Sequence, residues 1–193
     1  MAIAPARSLA ESFAPEGTAA RYATFGALAL FGSIAIAIAG KITVPFWPVP
    51  VTMQTLVIFV IAAAFGRKLA LATLAAYLIE GAAGLPVFTN GGGLAYFAGP
   101  TTGYLAGFVI AAGLTGWAAD RGFDRNAFKL FAVNLAGTAI ILLLGAAWIA
   151  MVFGADKALA WGVGPFIATD VIKAALAAAV VPAGWQIANL LRR

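Results

Sequence analysis

Residues 127–153 read AFKLFAVNLAGTAIILLLGAAWIAMVF, with a single charge at Lys129. A helix needs about 20 apolar residues to cross roughly 30 Å of hydrocarbon. This run exceeds that length, which makes it a membrane span. Working outward, five further runs carry the same signal, at 22–39, 51–65, 69–85, 103–119 and 165–191. The runs 51–65 and 69–85 are short, so tilt or local thinning of the bilayer is needed. The expected fold is an all-α integral membrane protein with six transmembrane helices. Residues 1–21 contain Pro5, Arg7, Glu11, Pro15 and Glu16 and lack the apolar core of a cleavable signal peptide. They read as a cytoplasmic tail, ahead of a six-helix membrane domain at 22–193.

Composition agrees. Hydrophobic residues make up 63% of the 193 and charged residues 10%, against about 25% charged in a soluble domain. Mean hydropathy is +0.99. A soluble enzyme or a nucleic-acid binder is excluded on these grounds. The net charge of +5 reads as basic loops facing anionic lipid. Cysteine and histidine are absent, which removes thiolate and imidazole chemistry.

The basic residues set the orientation. With both termini cytoplasmic, the inner segments hold Arg7, Arg21, Arg67, Lys68, Arg121, Arg125, Lys129, Arg192 and Arg193. The outer segments hold Lys41 and Lys157, and Lys173 lies within the sixth run. The reverse orientation violates the positive-inside bias.

Two outer segments are irregular. Residues 41–50, KITVPFWPVP, place Pro45, Pro48 and Pro50 where no helix can continue. Phe46 and Trp47 suit an interfacial anchor, or a wall of an outward-facing pocket. Residues 86–103, PVFTNGGGLAYFAGPTTG, are too long for a plain turn. Irregular backbone at membrane depth persists only where protein buries it or water lines it. The expectation is a re-entrant, Gly-rich outer loop that lids a pocket. Gly91 to Gly93 are not a phosphate-binding fingerprint, and no GxxxxGK[ST] motif occurs in the chain.

Polar residues within the spans gather at the outer side. Asp170 and Lys173 are three apart and share a helix face. They read either as a self-neutralising pair or as a donor–acceptor site for a ligand. Glu80 and Tyr77 lie near the outer end of the third run, and Gln54 opens the second after Thr52. Glu80 reads as an interfacial or a ligand-facing carboxylate, and Gln54 as a helix-start residue or a ligand contact. Asn134 reads as helix–helix glue. In the first run Ala29, Ser33 and Ala37 repeat every four residues, as do Ala23 and Ala27, then Ala35 and Ala39. Such small-residue faces serve packing within a bundle or docking of another membrane subunit.

Three stretches together resemble one family. VPVTMQTL (Val49 to Leu56), YLIEGAAGLPVFTNGGGLAYFAGPTTGYLAGF (Tyr77 to Phe108) and the pair Asp170-x-x-Lys173 resemble BioY proteins in order and spacing. These are the biotin-binding S components of energy-coupling-factor (ECF) vitamin importers. The resemblance implies six helices and a biotin pocket, open to the outside and lidded by the Gly-rich segment. It implies that Asp170 accepts from a ureido N–H, with Asn90 and Lys173 completing the head-group contacts. Tyr77, Tyr96 and Trp47 become walls for the ring system, and Gln54 and Glu80 join the polar set. Residues 89–119 hold no cation, so backbone amides of Gly91, Gly92 and Gly93, or Lys173, are left for the ligand carboxylate.

The implied partners are biotin as substrate, the lipid bilayer, a transmembrane coupling (T) subunit that meets the Ala29, Ser33 and Ala37 face, and two cytoplasmic ATPase subunits. No metal, cofactor or nucleic acid is implied. The setting is a bacterial or archaeal plasma membrane. Two other readings are an S component for another vitamin or precursor, and a small membrane enzyme using Glu80 or Asp170 as base.

Overall fold

The computed structural model describes residues 8–191, so Pro5, Arg7, Arg192 and Arg193 lie outside the described residues. The element order is α1 (Leu9–Ser12), α2 (Thr18–Lys41), β1 (Thr43–Val44), β2 (Val51–Thr52), α3 (Gln54–Ala82), α4 (Thr102–Ala119), α5 (Ala127–Phe153), α6 (Ala155–Gly162) and α7 (Ile167–Leu191). Five of these helices, α2, α3, α4, α5 and α7, are long and apolar enough to cross a membrane. α2 opens at Thr18, ahead of the expected start at Tyr22. The proline-rich segment 41–50 is closed by the two-residue antiparallel ladder of β1 and β2, which pairs Thr43 with Thr52 and Val44 with Val51.

The second and third expected spans map onto α3, with Val51 and Thr52 in β2 and residues 83–85 past its end, and α3 is broken at Gly66 (φ 75°, ψ 173°). At 1.5 Å per residue, a straight helix would hold Gln54 and Tyr77 roughly 35 Å apart. Instead the Gln54 amide nitrogen lies 2.7 Å from the Tyr77 hydroxyl. α3 is therefore a hairpin of two antiparallel limbs, and Gly66 is its corner. A side chain at positive φ is strained. A Cβ at Gly66 would also sit 2.3 Å from the Asp120 carboxylate, which accepts from the Arg67 amide at 3.2 Å. Gly66→Ala is expected to cost about 1–3 kcal/mol, read as a lower unfolding midpoint in detergent.

α4 is the most enclosed of the five long helices and packs chiefly between α3 and α5. Asn134 of α5 is buried and joins helices as expected. Its amide donates to the Ala174 carbonyl of α7 at 3.2 Å, and its carbonyl accepts from Thr115 of α4 at 3.4 Å.

The bundle has two chemically distinct ends. One gathers α1, Arg21, the Gly66 corner with Arg67 and Lys68, residues 120–129 and the last turns of α7. Here Arg121 lies over Trp117, Arg125 over Trp185, and Lys129 over Phe123. Trp185 donates to the buried Asp124 carboxylate. Burial pushes that carboxyl above its ordinary range, against the opposing pull of the Trp185 N–H and Arg125. Leu9 packs against the buried cluster that includes Val181 and Trp185 of α7, so the two described chain ends share this basic end. The other end holds Lys41, the β1–β2 ladder, residues 83–101 and α6. α6 has no counterpart among the expected elements.

Candidate ligand-binding site

A narrow cavity of about 40 Å³ opens near the second end. This is well below the roughly 300–1,000 Å³ of small-ligand pockets, so the closed site must widen to admit a ligand. Its wall comes from five places: the β2–α3 start (Val49, Pro50, Thr52, Gln54), Tyr77, the loop residues Thr89 and Tyr96, the α4 start (Thr101, Tyr104, Leu105, Phe108), and α7 with Phe166, Asp170 and Lys173.

Asp170 and Lys173 lie on the first turns of α7 and are 2% and 5% exposed. The Lys173 ammonium donates to Asp170 Oδ1 at 2.8 Å and to the Thr52 carbonyl at 2.6 Å. Thr55 donates to the same Oδ1 at 3.1 Å. These bonds tie α7 to β2 and to the first turn of α3. Two charges this deep are stable only when paired and hydrogen-bonded. Asp170 Oδ2 takes no hydrogen bond among the described residues, and an ammonium has a third N–H to give. The cavity therefore offers one carboxylate acceptor beside one ammonium donor.

Gln54 and Tyr77 form the second polar corner. The Gln54 amide donates to the Tyr77 hydroxyl at 2.7 Å and to the Ile36 carbonyl at 3.4 Å. The Gln54 carbonyl accepts from Thr52 at 3.3 Å and Thr89 at 3.5 Å. Tyr104, Leu105 and Phe108 present one helical face to the cavity. The Tyr104 hydroxyl donates to the Gly162 carbonyl at the end of α6, at 2.7 Å. Tyr104→Phe should cost about 0.5–1.5 kcal/mol, visible as a modest drop in thermal midpoint. The sequence reading did not single out this face, because nothing in a Gly- and Ala-rich span says which way its aromatics turn. Their spacing at i and i+4 was the available signal. Thr55 and Phe166 were not singled out either, since only packing against α7 and the cavity gives them a part.

Residues 83–101 cross this end of the bundle. Phe88 is fully buried and anchors the segment against Tyr77, Tyr96 and Phe97, at ring separations of 5.3, 4.5 and 5.5 Å. Gly81 makes room for it: a Cβ there would lie 2.1 Å from the Phe88 ring. The Trp148 indole holds the far end by donating to the Gly99 carbonyl at 2.8 Å.

Of the expected site residues, Gln54, Tyr77, Tyr96, Asp170 and Lys173 line the cavity. The others are placed elsewhere. Glu80 turns toward α2, where both carboxylate oxygens lie 2.9 Å from the Ser33 hydroxyl. Asn90 is exposed at the tip of the Phe88–Gly91 turn. Gly91 closes the same turn and Gly92 follows it, and neither is part of the cavity wall. Trp47 is 66% exposed and packs edge-on against Trp161 and Phe153, at 4.9 and 5.7 Å. Ala29 and Ser33 are buried within the bundle, and Ala37 packs partly against its core. The face of α2 left outside carries Ala23, Ala27, Leu30, Phe31, Ile34 and Ile38.

A family profile, described as the BioY family, matches residues 14–190. A protein of Pyrococcus horikoshii named as a probable biotin transporter BioY is 37% identical over 151 residues, covering 78% of this chain and 88% of that one. The biotin transporter BioY of Thermotoga maritima is 36% identical over 148 residues, covering 75% and 86%. Among solved structures, the S-component for biotin from an ECF-type ABC transporter matches with a TM-score of 0.75 at 28% identity, across 86% of this chain and 93% of that one. Profile, relatives and fold agree over most of the chain, and the chain belongs to the BioY family.

Proposed function

We propose that this chain takes up biotin as the substrate-binding S component of an ECF importer. The observation that carries the reading is the Asp170–Lys173 corner. A ureido group presents an N–H beside a carbonyl. Asp170 Oδ2 accepts the one, and the remaining Lys173 N–H donates to the other. Tyr104, Phe108, Phe166 and Tyr96 offer apolar surface for a thioether ring and its chain. Gln54, Tyr77, Thr89 and Thr101 lie within reach of the polar tail.

The six helical limbs cross the membrane, with the basic end cytoplasmic as the positive-inside bias requires. Residues 1–21 then lie inside, as do both termini. The cavity faces outward, and residues 83–101 cover it as a re-entrant lid. Asn90, Gly91, Gly92, Glu80 and Trp47 act at most through the lid and its surroundings, since none borders the cavity. The protein binds and does not catalyse: the family is one of transporters, and the polar groups are arranged to satisfy a ligand. ATP hydrolysis belongs to two cytoplasmic subunits, coupled through a transmembrane subunit. The bacterial and archaeal sources of its relatives support a plasma membrane of such a cell as its setting.

Accumulation of labelled biotin by cells expressing this chain with its coupling and ATPase subunits tests the reading. Uptake competed by unlabelled biotin and not by other vitamins is expected. Competition by a different vitamin alone would assign the pocket to that compound instead.

A further inference from the structure

The biotin reading leaves Lys41, at the cavity end, without a role. Lys41 closes α2, and its ammonium donates to two successive loop carbonyls, Phe88 at 2.6 Å and Thr89 at 3.2 Å. Residues 83–101 hold no charged side chain of their own. The other ties along the segment are apolar packing at Phe88 and neutral hydrogen bonds, among them Gly93 to the Gly81 carbonyl at 2.7 Å and Trp148 to Gly99. Charge-assisted bonds are roughly twice as strong as neutral ones.

From this we infer that Lys41 is a positioning residue, a latch that holds the lid closed over the ligand. The inference rests on the reading of residues 83–101 as a lid. Phe88 and Thr89 are the two residues a latch must hold. Phe88 is the buried anchor. Thr89 lines the cavity and reaches Gln54, so its carbonyl carries the pull of Lys41 to the rim. The Phe88–Gly91 bridge keeps both carbonyls in one tight turn, where a single ammonium reaches them together. Lys41 itself is exposed. Water can therefore take over its hydrogen bonds when the lid lifts, and the latch is reversible. Lys41 donates only to backbone, so the latch acts on loop position and not on ligand chemistry.

Two measurements on the full-length protein in detergent test this with Lys41→Met, which keeps the apolar stem, and Lys41→Arg, which keeps two donors. The first is amide hydrogen exchange at Phe88, Gly91 and Gly93 without ligand. The second is release of pre-bound labelled biotin. Lys41→Met should speed both by about fivefold to tenfold, the size of one or two charge-assisted bonds in contact with water. Lys41→Arg should restore most of each, and the thermal midpoint should hold in both variants. Exchange unchanged in Lys41→Met overturns the latch. Faster exchange with biotin release within twofold of the parent overturns its role in gating. Failure of the parent protein to retain biotin would instead refute the proposed ligand, while the exchange result would still decide the latch.

Discussion

Lys173→Met is expected to destabilise the protein by about 3–5 kcal/mol, because it strands the Asp170 carboxylate in the core. Thr55 would remain its one partner, and a hydroxyl cannot balance a full charge at this depth. The double change Asp170→Leu, Lys173→Met removes both charges and keeps similar volume. It should recover most of the lost stability, since a buried pair contributes little beyond a well-packed apolar substitute. Biotin binding separates the two roles of the pair. If the corner holds the ureido group, the double variant folds and yet binds at least tenfold more weakly, as expected for lost hydrogen bonds to charged groups. A double variant with parental affinity would make the pair purely structural. Thermal unfolding and equilibrium binding on the same preparations provide both numbers.

The second large effect is expected at Phe88. Truncating a fully buried phenylalanine costs about 3–5 kcal/mol. The ring anchors a loop and not a helix, so Phe88→Ala should appear as local opening of residues 83–101 while the bundle stays folded. Release of bound biotin should accelerate about a hundredfold or more, since each 1.4 kcal/mol is roughly a factor of ten. Gly81→Ala should act in the same direction by displacing the ring from the other side. A stopped-flow chase with unlabelled biotin measures the rate. A large fall in unfolding midpoint with unchanged release would contradict the picture of Phe88 as the anchor of a separable lid.

How much of this was legible in the sequence differs by element. The apolar runs were, because a membrane span needs length and hydropathy and little else. The corner at Gly66 fell between two runs already separated by Arg67 and Lys68. The pair Asp170 and Lys173 was legible because buried charges are costly and helical spacing puts them on one face. The helix α6 was not. Ala155–Gly162 is short and mixed in polarity, and only its packing against α5 defines it.

Side-chain direction was the recurring loss. Tyr77 and Glu80 stand three apart on the same limb, yet Tyr77 meets Gln54 while Glu80 meets Ser33 of α2. A polar residue at the cavity end of the bundle is a candidate by type, and only the neighbouring helix decides which way it turns. The same applies to Ala29, Ser33 and Ala37. Small residues permit close approach, and here the approach is made by the protein's own α3. Polar type drew attention to Asn90, whereas the loop presents Thr89 to the cavity and leaves Asn90 outside.

The central claim is that the Asp170–Lys173 cavity holds biotin. Isothermal titration of the purified protein with biotin tests it most directly. The expected result is a saturable isotherm with one biotin per chain, shifted to weaker binding in the Asp170→Leu, Lys173→Met variant. No binding heat for the parent, together with no protection of its thermal midpoint by biotin, would contradict it.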